Sequence, residues 1–191
     1  GVGRRRMKFE PTPLAGVWTV ETAPRGDARG RLTRLFCADA FAAATGRALR
    51  FVQVNHTVTA LRGMVRGLHF QHAPHAEAKL IRCIRGRVWD VAVDLRRDSP
   101  TYGRWHAVEL TDDNERQILI PEGCAHGFQA LTDDAQLLYQ HTAAWAPDHE
   151  AGVRHDCARL ASAWPLPGAR VSARDGAHPT LDELEPEVLA P

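Results

Sequence analysis

Lysine is almost missing from this chain. Of 24 basic side chains among 191 residues, 22 are arginine and two are lysine, and Lys8 lies within the first ten residues. Lys79 is therefore the one lysine of the folded body. A compact ammonium whose pKa moves readily on burial suits a developing enolate or carbonyl oxygen better than a planar, permanently charged guanidinium does. Chance placement is the competing reading for a single residue. Paired cysteine motifs are missing too: Cys37, Cys83, Cys124 and Cys157 show no Cys-x-x-Cys spacing, which argues against a zinc knuckle or a redox pair and for a reduced, cytoplasmic setting. No apolar run approaches the roughly 20 residues of a membrane span, and residues 1–6 lack the apolar core of a signal peptide. They are read as an extension, with Met7 as the expected natural start. Nor is there an excess of charge: the formal net charge is +1, and setting aside Arg4, Arg5 and Arg6 leaves 21 basic against 23 acidic residues. General affinity for nucleic acid or an anionic membrane is unsupported on that balance.

What is present is one domain's worth of chain, residues 7–191, with no repeat and no linker. It is long enough to bury roughly two-thirds of its unfolded surface without disulfides. Arg50 to Thr59 alternates, with Val52 and Val54 on one side and Gln53, Asn55 and Thr57 on the other, which predicts a half-buried strand. Leu80 to Leu95 reads as two strands hinged at Arg85-Gly86-Arg87, the second placing Val91, Val93 and Leu95 together. Gln117 to Ile120 is a short apolar strand stopped by Pro121. Ala135 to Thr142 is another, with Leu137, Tyr139 and His141 sharing a face. A helix is predicted over Asp39 to Thr45, alanine-rich and closed by Gly46. Many short strands between Gly, Pro and Asp turns predict an all-β sandwich or barrel with a few short helices. The segment after Trp164, rich in proline and acid, reads as surface wrapping.

Strict alternation from Lys79 to Arg85 groups Lys79 with Ile81 and Cys83, apolar company that depresses a lysine pKa on burial. From Val65 to Gln71 it groups Val65, Gly67, His69 and Gln71, leaving Arg66 with Leu68 and Phe70. For Arg66 and His69 to serve one site, Gly67 must mark a bulge or a twist.

Over most of its length the chain resembles the dTDP-4-dehydrorhamnose 3,5-epimerase family, nucleotide-sugar enzymes built on a cupin-type jelly roll. The resemblance rests on segments in register: Asp27-Ala-Arg-Gly, Phe51-Val-Gln-Val-Asn-His, Arg66-Gly-Leu-His-Phe-Gln, Lys79-Leu-Ile-Arg, Asp90-Val-Ala-Val-Asp-Leu-Arg, Ser99-Pro-Thr-Tyr-Gly, Ile120-Pro-Glu-Gly-Cys-Ala-His-Gly-Phe, Tyr139-Gln, Trp164-Pro-Leu and Ser172-Ala-Arg-Asp. It implies a substrate that is a dTDP-linked 4-keto-6-deoxysugar, no metal and no cofactor, and a homodimer pairing through N-terminal strands. It also implies that His69 is the general base, supported by an aspartate that maps to Asp175 with Asp156 in reserve. Tyr139 becomes the acid on the opposite face of the sugar, and Lys79 the group that stabilises the enolate. Arg29, Gln53, Asn55, Arg66 and His126 correspond to substrate and nucleotide contacts. Trp145, where a tyrosine is frequent, can still stack on a nucleobase. The chain departs from the family pattern at Arg31-Leu-Thr-Arg and at His155-Asp-Cys, where a proline is common.

The chemistry explains the residue types. Inverting a stereocentre beside a ketone means removing the α-proton and returning it from the other side, so two groups must face each other across the sugar. Histidine suits the base because it titrates near neutrality, and a carboxylate on its other nitrogen fixes the tautomer. Rival readings are a 3,4-ketoisomerase or 3-only epimerase on the same fold, a non-catalytic sugar-binding cupin, and a metal-dependent cupin oxygenase or isomerase. The first differs only in reaction, and the second lacks a reason to carry both His69 and Tyr139. The third is suggested by His69, His72 and His75 but opposed by the absence of any His-x-His, the spacing that puts two imidazoles on one strand face. His72, His75, His106, His141, His149, His155 and His178 are read as ordinary surface or core residues.

Overall fold

The computed structural model describes residues 6–187 and residue 189, so the leading segment set apart above lies, except for Arg6, outside the described residues. The described residues form β1 (Lys8–Pro11), β2 (Trp18–Glu21), β3 (Arg25–Asp27), β4 (Gly30–Leu32), α1 (Ala38–Thr45), β5 (Gln53–Thr59), β6 (Val65–Gln71), β7 (Lys79–Arg85), β8 (Arg87–Asp94), β9 (Trp105–Thr111), β10 (Arg116–Ile120), β11 (Cys124–Ala130), β12 (Ala135–His141), β13 (Glu150–Gly152) and α2 (Ala173–Gly176). Two antiparallel sheets stack face to face as a jelly-roll sandwich, one in the order β1-β2-β10-β7-β12-β5 and the other β13-β6-β11-β8-β9, with β3-β4 a separate hairpin.

Alternation explains the central layer. Ile81, Cys83, Ile118 and Leu137 point inward from the first sheet and meet Val88, Leu110 and Phe128 from the second, all essentially fully buried. Each large apolar side chain withdrawn in this way contributes about 1.5–3 kcal/mol. The hinge expected at Gly86 is present, with φ +75°, but the strands it joins do not pair with each other. It carries the chain from one sheet across to the other. Helix α1 ends where expected, at Gly46 with φ +72°, whose N–H donates to the Ala42 carbonyl. Its Phe41 seals the outer face of the first sheet together with Phe9, Phe36 and Phe51.

The wrapping segment does more than cover a surface. Its Leu181, with Val153, Cys157 and Leu160 from the stretch before Trp164, closes over Leu68, Phe70, Val91 and Val93 on the outer face of the second sheet, so those strands are buried on both sides. On β5 it is the polar side of the alternation that faces the interior. Val52, Val54 and Val58 are 52%, 57% and 46% exposed, whereas Gln53, Asn55 and Thr57 face into the sandwich. The period of two was legible but its direction was not, because at this sheet edge the interior holds a polar pocket in place of dry core.

Gly67 is the bulge that alternation demanded. On β6, His69 lies opposite His126 of β11 and Arg66 opposite Phe128, so three steps on one strand match two on the other. The extra residue turns Arg66 onto the same face as His69. Gly67 has φ +112°, and a Cβ there would fall 2.7 Å from Gly127 Cα and 2.7 Å from the His126 carbonyl oxygen. Gly67→Ala is therefore expected to cost about 2 kcal/mol or more through overpacking and backbone strain. Urea unfolding measures this directly, and an unchanged midpoint would contradict the close-packed bulge.

Candidate active site

A pocket of about 640 Å³ occupies the polar end of the sandwich interior. Gln53, Asn55 and Thr57 of β5, Lys79 of β7, and Tyr139 and His141 of β12 line it from the first sheet. Arg66, His69 and Gln71 of β6 and His126 of β11 line it from the second. Bulge and alternation, with α2 supplying Asp175 and the loop after β12 supplying Trp145, thus bring nine of the ten expected site residues into one cavity or to its mouth.

On the second-sheet wall, His69 Nε2 lies 2.6 Å from Asp175 Oδ1. Asp175 sits in α2, whose N-cap Ser172 Oγ accepts its backbone N–H at 3.1 Å, and its other oxygen accepts the Gly67 N–H at 3.0 Å. Burial pushes the Asp175 carboxyl up, but the hydrogen bonds from His69 and the Gly67 amide outweigh it and hold the pKa at about 2. The stability gained from this depressed carboxyl is present above the ordinary carboxylate pKa and is lost only as pH falls toward about 2. An ionised carboxylate accepts, so Nε2 of neutral His69 carries the hydrogen and Nδ1 keeps the lone pair. Asp156, the reserve partner, is 51% exposed and pairs with Arg154 instead.

On the first-sheet wall, Lys79 is buried beside Ile81 and Cys83 as expected, but it is not alone. Its Nζ lies 3.4 Å from Glu77 Oε1 and donates to the His69 carbonyl at 3.4 Å. Glu77 Oε2 lies 3.0 Å from His141 Nδ1, so a buried carboxylate spans the ammonium and an imidazole. Burial raises the Glu77 carboxyl, yet the hydrogen bond with His141 and the charge of Lys79 bring it below its usual value. Tyr139 lies between His126 and His141, with ring centroids 5.5 and 5.9 Å away. Burial, and then the negative charge of Asp90, push its phenol above the usual value, so it is a proton donor at neutral pH.

His126 is held by Asp90 at 2.9 Å, both fully buried. Burial acts against both charges, lowering the imidazole and raising the carboxyl. Arg66 is anchored through Nε to Thr59 Oγ1 and through Nη2 to the Val58 carbonyl, each at 3.0 Å. Trp145, 61% exposed at the mouth, is tethered by its backbone N–H to Gln53 Oε1 and by its indole N–H to Glu150 Oε2 at 2.7 Å.

Arg29 is the exception. It stands in the turn of the β3-β4 hairpin, its side chain 89% exposed and paired with Asp27, away from the pocket of its own chain. A three-residue strand pairing only with its hairpin partner projects outward and cannot turn it inward. The sequence reading missed Glu77, Asp90 and His141. Each had a signal: Glu77 is two residues before Lys79, Asp90 shares the inward parity of Val88, and His141 that of Tyr139.

A family model described as dTDP-4-dehydrorhamnose 3,5-epimerase matches residues 11–183. A dTDP-4-dehydrorhamnose 3,5-epimerase of Pseudomonas aeruginosa is 46% identical over 163 residues, 85% of this chain and 89% of the relative. A dTDP-4-dehydrorhamnose 3-epimerase of Streptomyces niveus is 41% identical over 169 residues, 88% of this chain and 81% of the relative. The solved structure of a dTDP-6-deoxy-D-glucose-3,5-epimerase from Legionella pneumophila, in complex with dTDP-4-keto-L-rhamnose, matches with a TM-score of 0.89 at 34% identity, covering 96% of this chain and 100% of that one. With β2 to β13 and the pocket inside the matched span, the chain belongs to the dTDP-4-dehydrorhamnose 3,5-epimerase family of carbohydrate-acting enzymes.

Proposed function

We propose that this enzyme inverts C3, C5 or both in a dTDP-linked 4-keto-6-deoxyhexose, with His69 as base, Lys79 beside the C4 oxygen and Tyr139 as the returning acid. The observation that carries this reading is the opposition of the two walls: His69, held by Asp175 of α2, belongs to the second sheet, while Tyr139 and Lys79 belong to the first. A sugar between them offers its α-hydrogen to one face and receives a proton on the other. His69 Nδ1 takes the proton, and the Asp175 carboxylate supports the imidazolium that forms. The electrons pass to the C4 oxygen, where the Lys79 ammonium stabilises the enolate, a contribution of about 3–4 kcal/mol for a well-placed donor. The Tyr139 hydroxyl then protonates carbon from the far side. Incubation with dTDP-4-keto-6-deoxyglucose should yield a 4-keto sugar inverted at C3 or C5. Recovery of a 3-keto isomer would reassign the chain to ketoisomerisation.

The nucleotide end of the reading uses Arg66, Gln53, Asn55, His126 and Trp145. Arginine is suited to a diphosphate because it donates in pairs to phosphate oxygens. Binding of dTDP is therefore expected to weaken with rising salt and to fall at least about tenfold in Arg66→Ala, read by calorimetry. Salt-independent binding would count against an anion site here.

A homodimer is proposed as the working form. Val52, Val54, Val58 and Ile84 expose apolar surface on the first sheet, and β1 and β5 are its open edges. Arg29 enters the reading only through such assembly, since it cannot reach its own pocket. Light scattering should give twice the chain mass at micromolar concentration, and a monomer would remove Arg29 from the nucleotide contacts.

A further inference from the structure

We propose that His69, Asp175 and His178 form a site for a divalent cation of the zinc class, and that an ion bound there silences the enzyme without touching the sugar. Among the described residues, this is the one group of three histidine, cysteine or acidic side chains whose ligand atoms converge, all within 4.8 Å of one another. Two imidazoles and a carboxylate are a donor set that zinc and its neighbours accept readily.

The geometry is close to what an ion requires. Two donors bound tetrahedrally at ~2.0–2.2 Å sit ~3.3 Å apart. His178 Nε2 is buried and lies 3.3 Å from Asp175 Oδ1, close enough for an ion pair but without a well-directed hydrogen bond. A buried nitrogen so weakly satisfied leaves room for an ion between the two donors. Its ring is fixed from behind: a Cβ on Gly152 would fall 2.4 Å from His178 Nε2, so only glycine lets β13 run beneath the imidazole. The His69 ring stands edge-on at 5.6 Å and faces the pocket, with its side chain 30% exposed, which gives the ion a way in from the cavity. The 2.6 Å separation between His69 Nε2 and Asp175 Oδ1 is a hydrogen-bond distance and widens when the ion replaces the hydrogen between them.

The consequence for activity rests on His69 being the base. A metal on Nε2 occupies that lone pair, so the neutral ring must carry its hydrogen on Nδ1. The hydrogen lost from Nε2 reappears at Nδ1 by exchange with water, and no net proton is gained or lost. The lone pair that takes the substrate's α-hydrogen is then gone. His178 itself makes no contact with the substrate in this account.

The test uses chelator-treated full-length protein with Zn²⁺ by calorimetry and Co²⁺ by visible absorption, alongside epimerase assays. The wild type is expected to bind one ion, to show the intense d–d bands of tetrahedral cobalt, and to lose activity reversibly on addition of Zn²⁺. His178→Gln, which keeps the side-chain volume but ligates poorly, is expected to retain basal activity. Its ion affinity should fall at least about tenfold, with sensitivity to Zn²⁺ falling in parallel. His178→Ala provides the same comparison if the glutamine perturbs packing. A wild type that binds no ion, or a His178→Gln that binds and is inhibited as strongly as the wild type, overturns the proposal. Binding that depends on His178 but leaves turnover intact upholds the site and removes His69 as the base.

Discussion

Replacing His69 by alanine is expected to abolish two observables together: formation of the epimer, and exchange of the substrate's α-hydrogen with solvent. Positioned proton transfer contributes roughly 100-fold to 10,000-fold, equivalent to about 2.7–5.5 kcal/mol of barrier. The joint loss follows from position. Two imidazoles line the pocket from the second sheet, each with a carboxylate on one nitrogen, and His69 is the one that is 30% exposed toward the cavity, so removing it leaves no equally accessible base on that wall. His126 also lines the pocket, but it is fully buried and tied to Asp90, which places it poorly to rescue the reaction. The variant should fold, because the His69 side chain is 30% exposed and Gly67 rather than His69 sets the bulge. Steady-state conversion and NMR-detected exchange provide the two readouts. Exchange persisting at the parent rate would move the base elsewhere.

Tyr139→Phe should behave differently. The change removes one hydroxyl from a ring lodged among His126, His141 and the core, and leaves His69, Asp175 and Lys79 in place. Deprotonation therefore continues, and deuterium enters from the His69 side with retention. Formation of the epimer falls by the roughly 100-fold to 10,000-fold assigned to a general acid. Lys79→Ala should slow exchange and inversion in equal measure, because enolate stabilisation precedes the step at which they diverge. If Tyr139→Phe inverts at the parent rate with exchange and inversion still matched, another group or water supplies the proton and Tyr139 is a core strand residue. The phenol's upward-shifted pKa keeps the hydroxyl protonated across the neutral range, so the proton is there to be given.

The parts of the fold that depend on a two-residue period were legible in the chain, and those that depend on distant contacts were not. Lys79 with Ile81 and Cys83, and Tyr139 with Leu137, could be sorted onto inward faces because neighbouring residues settle strand parity. The bulge at Gly67 could be required but not seen, since it arises from the backbone of Gly127 on another strand. On β5 alternation separated the valines from the polar side chains without saying which side faces in: valine faces water, and glutamine and asparagine face the pocket. An edge strand beside a pocket inverts the usual rule that apolar means inside. Choosing Asp175 over Asp156 needed the path of the wrapping segment, which composition alone does not specify. Glu77 and His141 were passed over for a related reason: taken singly they looked ordinary, and only the pairing of β7 with β12 brings them together around Lys79.

The most direct test of the account is the fate of label when the wild-type enzyme converts dTDP-4-keto-6-deoxyglucose in deuterated water. Abstraction by His69 and return from Tyr139 predict that each inverted carbon, C3 or C5, carries one solvent-derived deuterium, while ring positions not adjacent to the ketone carry none. Inversion with the original hydrogen retained at the inverted carbon would contradict the two-wall mechanism.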